Sequence, residues 1–280
     1  MPNPVKTCLV TGASSGIGFA TALELQRAGY TVYGVARRVE KMEPLRAAGI
    51  HTLKMDLTND ADLERVVAVI LAEQGTIDVL VNNAGSALPG AIEEVPIQQA
   101  RDLLEVNLFG TARLTQLVLP HMRERGSGAI LNVSSIGGEI ALPLNAWYYA
   151  SKHALEAFTD TLRQEVGQFG IRVVLIQPGI IKTEFEKDTA QSLRAVSGHG
   201  PYRRLANSVA AKAEKTFTSP KNPASDPSEV AAVIRKAIES PKPKTRYTVG
   251  YVAGTLLALN RLLSDRQFDN MVLNGLKKFE

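Results

Sequence analysis

VKTCLVTGASSGIGFATALELQRAG, residues 5–29, is the stretch whose reading decides the fold. Val5 to Thr11 is a short apolar run rich in β-branched residues and reads as a buried strand. Phe19 to Gly29 carries the amphipathic period of a helix that stops at glycine. Between them TGASSGIG places glycines at 12, 16 and 18. Glycine permits the tight turn and lets the backbone approach a pyrophosphate closely. The helix that follows presents free N–H groups and the positive end of its dipole. Gly12, Ser14, Ser15, Gly16, Ile17 and Gly18 are therefore candidate phosphate-binding residues. Their spacing differs from the G-x-G-x-x-G of the general dinucleotide fingerprint. A glycine loop alone could be a structural turn. Set between apolar strands, it points to a nucleotide.

Working outward, strand and helix patterns alternate. TVYGVA (31–36), the run within GIHTLKMD (49–56), IDVLVNN (77–83), AILNVSS (129–135), IRVVLIQ (171–177) and RYTVG (246–250) read as further strands. Helices are expected at 59–75, with Asn59 as N-cap and Gly75 as stop, and at about 98–124 and 148–169. Such alternation implies right-handed βαβ units. The strands are continuous apolar runs, as strands buried on both faces should be. The expectation is an α/β protein: a Rossmann-type, doubly wound parallel sheet of about seven strands in one domain. The pattern breaks over residues 184–228, a basic stretch that suits a lid over a site or, as the alternative, a loosely ordered surface excursion. YVAGTLLALNRLL opens a tail at 251–280 with helical periodicity and an apolar face. Core packing is its first reading; a subunit or membrane-surface contact comes second.

Composition narrows the function classes. The chain has 280 residues, 45% hydrophobic and 21% charged, as in an ordinary globular protein. A lone cysteine, Cys8, excludes an internal disulfide framework and suits a reducing, cytoplasmic setting. No apolar run is long enough to span a bilayer, and the first residues lack a signal-peptide layout. The net charge of +4 is uneven: residues 1–193 hold 17 Lys and Arg against 21 Asp and Glu, while 194–222 hold six against one. A basic last third fits a solvated surface first, and an anionic substrate or peripheral contact with a membrane surface second. The charges do not cluster with aromatics, which argues against nucleic acid. The histidines are scattered at 51, 121, 153 and 199 without metal-ligand spacing, so no metal is expected.

Two segments carry the chemistry. Tyr148 and Lys152 sit four apart, neighbours on one face of a helix. A cation one turn away stabilises a phenolate, bringing a tyrosine from its usual pKa of about 10 towards a useful acid/base range. Ser135 lies thirteen residues before Tyr148, at the end of a predicted strand. Tyr149 and Ser134 are the adjacent alternatives. The other segment is Ala36-Arg37-Arg38, at the end of the second strand. A carboxylate there would grip a ribose 2′-hydroxyl, whereas arginine can bind a 2′-phosphate. The expected cofactor is NADP(H) rather than NAD(H), with Arg37 favoured as the contact.

Taken together, the motifs resemble the short-chain dehydrogenase/reductase family in its single-domain form. They are TGASSGIG, Asp56 after the third strand, NNAG at 82–85, Asn107 within a helix, Ser135, YYASK at 148–152 and QPGIIKT at 177–183. The match runs from about Val5 to Phe185. The resemblance implies that Tyr148 is the general acid/base, that Lys152 lowers its pKa and holds ribose hydroxyls, and that Ser135 hydrogen-bonds the substrate oxygen. Asn107 would hold a water beside Lys152, Asp56 would meet the adenine, and Asn83, Ala84 and Gly85 would line the adenosine ribose. Pro178 and Gly179 belong to the segment in which Ile181 and Thr183 would bind the nicotinamide carboxamide. The reaction implied is hydride transfer between nicotinamide and a carbonyl or alcohol. A homodimer or homotetramer formed through the helices at 98–124 and 148–169 is implied as well. A non-catalytic sensor or scaffold on the same fold is the competing class; retention of both Tyr148 and Lys152 argues against it. A nucleotide-sugar epimerase would need a larger C-terminal domain.

The segments that should line the substrate side, SALPGAIEEVPI, GGEIALPLNAW and the chain after Thr183, are rich in Leu, Ile and Pro, with Trp147 and Phe185. They suggest an apolar pocket. Within the family the pattern looks most like retinol and hydroxysteroid dehydrogenases and acyl-dihydroxyacetone-phosphate reductases. A lipophilic ketone or alcohol is expected, with Arg203 or Arg204 near any anionic head.

Overall fold

The computed structural model describes residues 5–218 and 223–279, without the side chains of 185–188 and 218. Phe185 and residues 219–222 of the predicted lid therefore lie outside the described residues. The chain begins with β1 (Thr7–Thr11), the glycine loop and α1 (Gly16–Arg27), as the opening stretch predicts. It continues through β2 (Thr31–Ala36), α2 (Glu43–Ala47), β3 (His51–Lys54), α3 (Asp60–Gln74) and β4 (Val79–Asn82). Asn59 caps α3 by accepting from Ala61 N at 3.0 Å, and Gly75 ends it in the left-handed region at φ 72°.

The seven strands form one parallel sheet in the order β3-β2-β1-β4-β5-β6-β7, where β5 is Gly128–Val133, β6 Ile171–Pro178 and β7 Arg246–Val249. The chain winds outward from β1 to β3, then returns to lay β4 against the other side of β1. Between β1 and β4 the winding direction reverses, and a crevice opens at the carboxyl ends of the strands. Side chains alternate across each strand. Cys8 and Val10 face one apolar layer with Ala22 and Leu25 of α1. Leu9, Leu80 and Ile130 face the other, with Val66 and Ile70 of α3. Both faces are covered over the inner strands, which read as apolar runs, whereas the edge strands β3 and β7 are partly exposed and more polar.

The helix predicted at 98–124 is not uniform. α4 (Ile97–Leu104) and α5 (Gly110–Glu124) are separated by a π turn over Glu105–Phe109. α6 (Ala146–Val166) begins just before Tyr148. The predicted lid is largely helical: α7 (Glu184–Ser197) and α8 (Arg203–Thr218) pack through Ala190, Leu193, Ala206 and Ala210, and α9 (Pro227–Glu239) follows. Its far end is pinned to the segment that follows β6, since Lys182 N donates to Ser225 O at 2.9 Å. The tail forms α10 (Ala253–Leu262) and α11 (Asp265–Leu276), the latter started by a capping box between Ser264 and Gln267.

Candidate active site

The crevice deepens into a cavity of about 770 Å³ that runs from the end of β2, over the glycine loop, to the start of α6. The glycine loop needs its glycines. Gly12 and Gly16 hold φ of 68° and 57°, and a Cβ on Gly18 would lie 2.4 Å from Gly12 O and 2.5 Å from Asn83 Nδ2. Ser15 precedes α1 in extended backbone without capping it through its side chain, which leaves the helix end facing the cleft. The NNAG segment is stitched to β1: Asn83 N and Ala84 N both donate to Thr11 Oγ1 at 2.9 Å, and Asn83 Nδ2 donates to Thr11 O at 3.0 Å. This fixes Ala84 and Gly85 opposite the glycine loop, across the switch point.

At the far end, α6 brings Tyr148 and Lys152 to the same wall, with Lys152 Nζ 5.8 Å from the centre of the Tyr148 ring. Lys152 is 5% exposed, and its Nζ donates to Val133 O at 3.0 Å. Burial pushes its pKa down to about 8, opposed by the Glu156 carboxylate one turn along the helix. Ser135 lines the same wall, and its Oγ accepts from Gly137 N at 3.0 Å, which holds the turn after β5. Ser134, the neighbouring alternative, is buried, and its Oγ has no partner among the described residues. Tyr149 also faces the cavity, edge-on to Tyr148 with ring centres 5.7 Å apart.

Asn107 does not line the cavity. It sits behind the wall in the π turn, 1% exposed. There it accepts from Ser86 N at 2.8 Å and donates to Ser86 O and Ser151 Oγ, each at 3.0 Å. Ser151 Oγ in turn donates to Tyr148 O at 2.7 Å. Ser86 and Ser151 went unnoticed in the sequence, because a π turn leaves no mark in hydrophobic period. Gly18 likewise packs beneath the loop. The other expected cofactor residues, from Gly12 to Thr183 and including Arg37, Asp56, Pro178, Gly179 and Ile181, all line the cavity. Asp56 also accepts from Thr58 N at 3.0 Å, the plain turn-forming role for this residue type.

Arg38 is the arginine seated on the glycine loop, with its guanidinium 3.4 Å from Ser14 Oγ and 3.3 Å from Ser15 Oγ. Aliphatic side chains also line the cavity: Leu142 and Leu144, Leu193 of α7 and Val209 of α8, and Leu256, Met271, Val272 and Leu276 of the tail. Leu144 and Val252 line it with left-handed backbone, at φ 66° and 56°, an uncommon conformation that recurs at functional sites. Arg203 and Arg204 are exposed on α8 and do not line the cavity; Lys212, two turns on, does. Trp147 also lies outside the wall. The dinucleotide fit is carried by the loop that a Cβ at Gly18 would fill, the open helix end and the arginines at one extremity. No group of three or more potential metal ligands gathers among the described residues.

A family model for short chain dehydrogenase matches residues 6–194. The 3-ketodihydrosphingosine reductase of Bacteroides thetaiotaomicron is 33% identical, over 97% of this chain and 96% of its own. The NADPH-dependent 3-dehydrocapnine reductase of Ornithobacterium rhinotracheale is 34% identical, over 98% of both chains. A solved short-chain dehydrogenase from Streptomyces avermitilis superposes with a TM-score of 0.78 at 35% identity, covering 95% of this chain and 97% of that one. The chain belongs to the short-chain dehydrogenase/reductase family, as an oxidoreductase of CH–OH groups that works with a nicotinamide dinucleotide.

Proposed function

We propose that the protein uses NADP(H) to interconvert a ketone and a secondary alcohol on a lipophilic substrate. The observation that carries this reading is one cavity with two chemically distinct ends. Tyr148, Lys152 and Ser135 converge at one end, and Arg37 and Arg38 flank the glycine loop at the other. The aliphatic walls from the lid and the tail support a long or bulky apolar substrate. So do the names of two relatives, a 3-ketodihydrosphingosine reductase and an NADPH-dependent 3-dehydrocapnine reductase.

The dinucleotide, when bound, supplies or accepts the hydride. The chain's own residues manage the oxygen and its proton. Ser135 Oγ–H donates a hydrogen bond to the carbonyl oxygen, and the Tyr148 hydroxyl gives up its proton as the alcohol forms. The ammonium of Lys152 stabilises the phenolate left behind. Val133 O orients that ammonium. α7 and α8 act as the lid, and α4, α5 and α6 pair copies of the chain into a symmetric dimer or tetramer.

The test is oxidation of NADPH and of NADH across a panel of carbonyl compounds, run beside Tyr148→Phe. Long-chain ketones should turn over with NADPH. The variant should lose about 10²–10⁴-fold in kcat and keep its affinity for NADPH. Unaltered turnover in the variant would remove the tyrosine from its role. A preference for small sugars would end the lipophilic reading, and a preference for NADH the cofactor reading.

A further inference from the structure

Glu184, the first residue of α7, makes ion pairs with two cations that follow β2. Its carboxylate lies 3.3 Å from an Arg38 guanidinium nitrogen and 2.9 Å from Lys41 Nζ. The second guanidinium nitrogen of the same arginine reaches the Ser14 and Ser15 hydroxyls. Thr183, one residue earlier, touches the glycine loop as well: a Cβ on Gly16 would lie 3.0 Å from Thr183 Cγ2. The start of the lid is thus fastened to the rim of the cleft by a carboxylate seated between cations. The hydrogen bond from Lys41 and the nearby Arg38 keep Glu184 below the usual carboxylate range, so it is ionised at neutral pH.

We propose that Glu184 sets cofactor selectivity by occupying Arg38 and Lys41, the cations that the 2′-phosphate of NADP(H) would bind. This rests on the NADP(H) reading above. A carboxylate and a phosphate are both oxyanions and repel at such separations, so they cannot share the pair. A phosphate carries more charge than the carboxylate and offers three acceptor oxygens to arginine. It displaces the carboxylate and frees the start of α7. NADH has no 2′-phosphate and leaves the pairs intact. Because these side chains are about half exposed, the contact is weak, and its competition is worth a few-fold in affinity.

The deciding experiment compares wild type with Glu184→Gln, which removes the charge and keeps the shape. NADPH and NADH are titrated by fluorescence, and adenosine 2′,5′-bisphosphate and 5′-AMP by calorimetry. The variant should bind NADPH and the bisphosphate about three- to ten-fold more tightly, with NADH and 5′-AMP within two-fold of wild type. Glu43→Gln, which removes the same charge from the exposed pair with Arg46, should change neither ratio. Equal tightening of NADPH and NADH, no change, or weaker NADPH would each overturn the proposal. A wild-type preference for NADH would instead defeat the cofactor reading. The ratio of bisphosphate to 5′-AMP affinity would then still decide what Glu184 does.

Discussion

Lys152 is held where solvent scarcely reaches it, and that placement has a thermodynamic signature. Burial lowers its pKa from 10.5 to about 8. Between those values the unfolded chain keeps a proton that the folded chain has released. This group's contribution to stability therefore rises with pH across the window from about 8 to 10.5. Below pH 8 the charge stays in the folded state at a constant cost, roughly 3 kcal/mol before its hydrogen bond is counted. Lys152→Met removes both the charge and the bond to Val133 O. The variant should be more stable than wild type at pH 7, by about 2 kcal/mol once a bond worth about 1 kcal/mol is deducted. The advantage should shrink towards pH 10, and activity should be lost. Urea unfolding at pH 7 and 9.5, at one protein concentration, checks this. A less stable variant at pH 7 would show that the lysine is not strained by its site.

Helices, rather than strands, are where the sequence was hardest to read. The period of residues 98–124 is continuous enough to suggest one helix, yet Glu105–Phe109 form a π turn that swings Asn107 onto Ser86 and Ser151. Extra residues in a π turn alter which side chains face inward without changing their composition. α7 and α8 fall where the strand–helix alternation breaks, and what makes them a unit is their mutual contact through Ala190, Leu193, Ala206 and Ala210, which no single segment records. The tail was legible as helix, whereas its place on the cavity wall was not, since nothing local records a contact more than a hundred residues away. That contact is concrete. Arg261 pairs with Glu139 at 2.8 Å and Asn260 Nδ2 donates to Glu139 O at 3.2 Å, just beyond the Ser135 turn. Gln177 Nε2 then joins Glu139 to Glu156, at 2.6 and 3.1 Å. The arm is thus tied to the turn that carries Ser135, and α11 follows it to the cavity wall. Val272→Glu places a charge on that wall and should raise KM for long-chain ketones by at least about ten-fold, since burying an unpaired carboxylate beside alkyl chain is unfavourable. NADPH affinity and turnover of a small ketone should hold. Steady-state kinetics on both substrates tests it; equal losses on the two would mean that the arm merely supports the fold.

Across the whole molecule, the parallel doubly wound sheet followed from simple regularities. Parallel strands buried on both faces must be apolar throughout, so Thr7–Thr11, Val79–Asn82 and Ile171–Pro178 announced themselves. The glycine loop and the NNAG segment lie at neighbouring strand ends because β4 returns to β1. Which of two consecutive arginines meets the loop depends on the turn after β2, and that turn has no strong signature. Assembly belongs to this scale too. Ile92, Ile97 and Phe109 are 67%, 54% and 54% exposed, and all lie on or beside α4. Single exposed apolar side chains are ordinary, but these three lie at and around the start of the helical stretch through which the family resemblance pairs subunits, which favours a buried interface there. Light scattering after size exclusion should find wild type as a dimer or tetramer at micromolar concentration. Ile97→Asp with Phe109→Asp should shift it to monomer, because an isologous interface meets each new charge twice, while the circular dichroism of the fold is retained. A monomeric wild type would overturn the assembly itself, and a double variant that assembles unchanged would place the subunit contact elsewhere on the surface.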